Sequence, residues 1–129
     1  MAVGVGFHGT PESRAALGHA IRECAVRGDD LVIVAPESIT AGAEFGADLA
    51  LARASLGKLE VRLRTVESDS QAAAELVDLS YEDSIDLLVI GLRRRSPVGK
   101  LVLGSVSQRV LLDAQCPVTA VKPPVTANS

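Results

Sequence analysis

The chain has 129 residues, 47% of them hydrophobic, which is enough for one domain with a buried core and too little for two. Only 2% are aromatic and none is Trp, so Val, Leu, Ile and Ala must build that core, a composition suited to a parallel sheet under Ala-rich helices. A net charge of −3 excludes a whole-molecule field that would attract nucleic acid.

The run "AVGVGF", residues 2–7, predicts a first strand. It is too short for a signal peptide. No window reaches the ~18 apolar residues that span a membrane, so the expected compartment is the cytoplasm. Thr10 then offers an N-cap, Pro11 suits the first helical position, and Glu12 favours the positive helix end. Leu17, Ala20, Ile21 and Cys24 recur at helical spacing, and Gly28 closes the helix. "LVIVA", residues 31–35, is continuously apolar and predicts a strand covered on both faces. Residues 37–56 predict a loop followed by a helix whose start Gly42 and Gly46 weaken.

"LEVRLRTV", residues 59–66, alternates apolar with charged and predicts a half-exposed edge strand. Ser68 and Gln71 have capping-box spacing, and Ala73, Leu76 and Val77 give the next helix its apolar stripe. "DLLVIG", residues 86–91, predicts another buried strand. Residues 104–112 predict a short helix, and "CPVTAVK", residues 116–122, the last strand. The expected organisation is a single domain over 1–124 with a frayed tail at 125–129. Cys24 and Cys116 lie far apart and are read as core thiols.

Strands alternating with helices imply an α/β fold with one parallel sheet and helices on both faces. Ligands of such sheets sit outside the carboxyl ends of the strands. The expected site is therefore built from three tips, "FHGT", "APES" and "GLRRR".

Several chemistries are excluded. A phosphoacceptor receiver needs acids after strand one, where this chain has "HGT". "GVGFHG" matches the letters of a dinucleotide fingerprint, but its first two glycines fall inside the strand. There is no Walker A sequence. His8 and His19 have no partners at metal-ligand spacing. Ser105, at the start of a helix, is read as a cap rather than a nucleophile.

The opening "VGVGFHGTPESRAAL" and the later "DLLVIG…VLGSVSQRVLLDAQCPVTAVK" resemble the universal stress protein family. The resemblance covers nearly the whole chain. It implies a Rossmann-like open sheet of five strands in the order 3-2-1-4-5, and commonly a homodimer. Nucleotide-binding members carry G-x-x-G, nine residues, then G-S or G-T. Here Gly91 stands for the first glycine and Gly104-Ser105 for the final pair, with residues 95–103 between. Arg94 replaces the second glycine, and His8 replaces the family's usual Asp. By the same resemblance Ser107 falls on a phosphate-contacting position, Gly6 on a point of close backbone approach to adenosine, and Pro36 near the adenine.

A helix opening at Gly104-Ser105 presents free N–H groups and partial positive charge to an anion. A glycine at 94 would permit positive φ and close approach of phosphate. Arg94 is penalised in that conformation. Arg93, Arg94 and Arg95 instead offer side-chain clamps. A solvated basic loop is the other reading of these arginines.

The resemblance implies a protein that binds an adenine nucleotide, ATP foremost, and reports it to an unidentified protein partner. His8 in place of an acid disfavours Mg²⁺, and with no other general base in view, slow hydrolysis is the most expected. The alternatives are a dimeric interaction protein without nucleotide, and a small enzyme acting on a phosphorylated metabolite. The last strand, with Val118, Thr119, Ala120 and Val121, is an apolar edge that pairing with a second copy would close.

Overall fold

The computed structural model describes residues 1–94 and 100–124. In chain order the elements are β1 (Ala2–Gly6), α1 (Pro11–Arg27), β2 (Asp30–Pro36), α2 (Glu37–Thr40), α3 (Ala43–Leu56), β3 (Val61–Val66), α4 (Asp69–Leu79), β4 (Ile85–Gly91), β5 (Arg93–Arg94), β6 (Leu101–Val102), α5 (Ser105–Asp113) and β7 (Val118–Val121). Five strands form one parallel sheet in the order β3-β2-β1-β4-β7. This is the expected open order, with β7 as the fifth strand and β3 and β7 as the edges. No helix among the described residues is long and apolar enough to cross a membrane.

The pleat divides the core in two. Val3 and Val5 of β1, Leu31 and Ile33 of β2, and Leu87 and Val89 of β4 face α1 and α3, where they meet Leu17, Ala20, Cys24 and Phe45. Ala2, Val32, Val34, Leu88 and Ile90 face the other way, toward Leu76 and Leu79 of α4 and Val110 of α5. A strand buried on both faces cannot alternate apolar with polar, which is why β2 and β4 read as unbroken apolar runs.

Local chemistry sets where the helices begin. Thr10 Oγ1 accepts from the Ser13 amide at 3.2 Å while Ser13 Oγ accepts from the Thr10 amide at 2.9 Å, a reciprocal capping box that starts α1. Gly28 ends that helix at φ 71°. Ser68 Oγ accepts from the Gln71 amide at 3.3 Å. The Gln71 side chain reaches back one residue further than a capping box would, to the Glu67 amide at 2.9 Å.

Four departures from the sequence reading concern the bounds and number of the elements. Residues 37–56 hold two helices rather than a loop and one helix, with Gly42 as the extended N-cap of α3. The Leu59 amide is held by the carbonyl of Leu56 at 3.1 Å, so β3 starts only at Val61. β7 starts at Val118, leaving Cys116 outside it and half-buried. The stretch after β4 is not all loop: β5 and β6 pair antiparallel, Arg93 with Val102 and Arg94 with Leu101. Arg95 and the tail 125–129 lie outside the described residues.

Candidate functional site

A cavity of about 210 Å³ opens beyond the carboxyl ends of β1 and β4, lined among others by Gly6, His8, Glu12, Asp69, Gly91, Arg93 and residues 104–107. The starts of α1, α4 and α5 converge on it. Each helix start brings free N–H groups and partial positive charge, yet the three are not equivalent. At α1, Pro11 has no N–H, the Thr10–Ser13 box satisfies others, and Glu12 supplies negative charge. At α4, Ser68 caps the amide of Gln71 and Asp69 stands at the first position. At α5 the N-cap is Gly104, with no side-chain cap and no acid in the first turn.

Ser105 therefore does not cap its helix, contrary to the sequence reading. It occupies the first helical position, and the cap position belongs to a residue without a side chain. A Cβ on Gly104 would lie 3.3 Å from Nη2 of Arg93. The arginine thus rests over the open helix end, and the glycine makes room for it. Arg93 Nε also lies 3.9 Å from Glu12 Oε1. The Ser107 hydroxyl donates to the carbonyl of Gly91 at 3.0 Å, tying α5 to the end of β4 while Ser107 still borders the cavity.

Gly91 has a different cause from a sharp turn. Its φ is not positive; instead a Cβ there would sit 2.5 Å from the carbonyl oxygen of Glu12 and 2.9 Å from its carbonyl carbon. The first turn of α1 passes too close for any side chain. Gly6 has a related role, since its Cβ would meet Leu76 Cδ1 at 3.0 Å. The turn after β1 does need a left-handed residue, and Gly9 supplies it at φ 74°. Its carbonyl accepts from Arg14 Nη1 at 2.7 Å.

His8 is held by Asp69, whose Oδ1 accepts from the imidazole Nδ1 at 3.1 Å. Their separation of 61 residues hid this pair from sequence reasoning. Asp69 drew no reading of its own in the sequence, and Glu12 only that of a favourable helix dipole; the fold turns both into cavity walls.

Two residues assigned to the site do not line this cavity. Pro36 is buried at the end of β2 and does not border the cavity, so the β2 tip contributes less than expected and the α4 start stands in its place. Arg94 does not carry the backbone penalty expected of it: no non-glycine residue among those described has positive φ. It is extended, paired with Leu101, and its Nε is buried without a hydrogen-bond partner among the described residues. No three potential metal ligands cluster among the described residues.

A second group of ionisable side chains lies at the amino ends of β2 and β4. Asp29 is buried, and burial together with the neighbouring Asp86 carboxyl raises its pKa. Asp29 Oδ2 and Asp86 Oδ1 have no hydrogen-bond partner among the described groups. Burial, with Asp29, Asp86 and Asp30 nearby, pushes the Cys24 thiol up to about 12.

The model of the universal stress protein family matches residues 1–122. A universal stress protein of Mycolicibacterium smegmatis is 38% identical over 128 residues, covering 92% of this chain and 95% of that protein. The structure of a universal stress protein from Archaeoglobus fulgidus matches with a TM-score of 0.75 at 25% identity, covering 95% of this chain and 98% of that one. A universal stress protein solved in complex with cAMP matches with a TM-score of 0.66 at 25% identity, covering 96% and 98%. On the strength of its strand order, its glycine-serine helix start and a family match over nearly its whole length, this chain belongs to the universal stress protein family.

Proposed function

We propose that the cavity between the starts of α1, α4 and α5 binds an adenine nucleotide, and that the protein is a nucleotide-responsive regulator rather than an efficient enzyme. The observation that carries this reading is the uncapped start of α5 with the Arg93 guanidinium over it. Backbone N–H groups, a helix dipole and an arginine together make a strong phosphate position. Gly6 and His8 border the same cavity, on the side where the nucleoside would lie. The related protein that binds cAMP supports an adenine ligand. ATP is the nucleotide that the spacing of Gly91 and Gly104-Ser105 implies by family resemblance. Within this proposal the working unit is a homodimer, paired through the β7 edge.

A thermal-shift series with adenine nucleotides tests the reading. A ligand at one hundred times its Kd adds roughly 2.7 kcal/mol of stability. Charge-assisted hydrogen bonds are worth roughly 1.5–3 kcal/mol, so Arg93→Ala should weaken binding at least about tenfold and flatten its salt dependence. If no adenine nucleotide raises the melting temperature, the reading fails. If Arg93→Ala binds as well as the natural chain, the phosphate is held elsewhere.

A further inference from the structure

We infer that Glu12 limits this site to nucleotides carrying a single phosphate group, so that a monophosphate is preferred over the triphosphate that family resemblance implies. The inference rests on the nucleotide reading above and concerns which nucleotide the cavity accepts. Of the three helix starts around the cavity, α1 and α4 each carry a capping side chain and an acid in the first turn, and α5 carries neither. One open helix end with one arginine over it accommodates one phosphate.

The remaining charged wall works against a second. Glu12 and Asp69 both border the cavity. The Asp69 side chain is 70% exposed and already engaged by His8, so water screens it. The Glu12 side chain is only 23% exposed, and its backbone is held where its carbonyl packs against Gly91. Its carboxylate faces Arg93, so the arginine is shared between the acid and the incoming phosphate. Each further phosphate in the cavity meets this partly buried carboxylate, and Arg93 is the one arginine or lysine among the described residues that lines the cavity.

The test is calorimetric titration of the natural chain and of Glu12→Gln with AMP and with ATP, each in EDTA and again with Mg²⁺. One like charge at about 7–10 Å from another in a partly screened site changes affinity by roughly tenfold. The natural chain should therefore bind AMP at least about tenfold more tightly than ATP in EDTA. Glu12→Gln should bring the two close to parity, chiefly by improving ATP. Asp69→Asn, the control for an exposed carboxylate, should move the ratio much less. The inference is overturned if the natural chain binds ATP as tightly as AMP in EDTA, or if Glu12→Gln leaves the ratio unchanged. It is also overturned if Mg²⁺ makes ATP the better ligand and Glu12→Gln abolishes that gain, since Glu12 would then be a metal ligand. ATP binding without AMP binding defeats this inference alone, whereas absence of binding by any nucleotide defeats the nucleotide reading and this inference with it.

Discussion

Replacing Gly91 by alanine adds one methyl group at the point where β4 meets the first turn of α1. That methyl would lie 2.5 Å from the Glu12 carbonyl oxygen, 2.9 Å from its carbonyl carbon and 3.2 Å from its Cβ. The two closest atoms are backbone, so no rotamer change relieves the clash. β4 is held between β1 and β7, and the α1 start is fixed by the Thr10–Ser13 box. One of these elements has to move. Overpacking of this kind costs typically 1–3 kcal/mol, and two rigid partners place Gly91→Ala near the top, about 3 kcal/mol. For a domain of this size that lowers the melting temperature by about 10 °C. Gly46→Ala is the matched control. Gly46 is an exposed residue of α3 with nothing within 4 Å of its would-be Cβ, so the same methyl should stabilise by roughly 0.5–1 kcal/mol through helix propensity. Urea denaturation of both variants measures the two signs side by side. A Gly91→Ala variant within about 1 kcal/mol of the natural chain, at the low end of overpacking costs, would show that the α1 start yields and that close approach is not why glycine stands there.

Two further outcomes follow from other parts of the molecule. Because the pKa of Asp29 is raised by burial and by Asp86, the folded chain binds that proton more tightly than the unfolded one, and stability falls as pH rises from the ordinary value of 3.8 through the raised one. Asp29→Asn should therefore raise the melting temperature at pH 7, with the gain vanishing at and below 3.8; a gain that does not depend on pH would refute the ionic origin. At the β7 edge, Ala120 is exposed and its neighbours Val118 and Val121 are half-buried. Ala120→Arg should convert the proposed dimer to monomer in sedimentation at tens of micromolar protein, and a natural chain that already sediments as a monomer refutes pairing through β7.

What the sequence determined by itself is what acts over a few residues of chain. The unbroken apolar runs of β2 and β4, the helical spacing of Leu17, Ala20 and Cys24, the Thr10 and Ser68 caps and the alternation of β and α are short-range signals. They carried the parallel sheet, its covered faces and the position of the α5 start. Short-range reasoning misjudged Gly91 and Arg94, because it looked for a turn in their own backbone. The cause at Gly91 is the carbonyl of Glu12, 79 positions earlier in the chain, and Arg94 is held extended by antiparallel pairing with Leu101. The cavity itself belongs wholly to tertiary structure. His8 meets Asp69, Arg93 lies between Glu12 and Gly104, and Pro36 stays outside, because packing of α1, α4 and α5 against the sheet decides which element ends converge. Hydrophobic burial drives that packing without regard to the polar groups at those ends, so no local pattern announces which of them become neighbours.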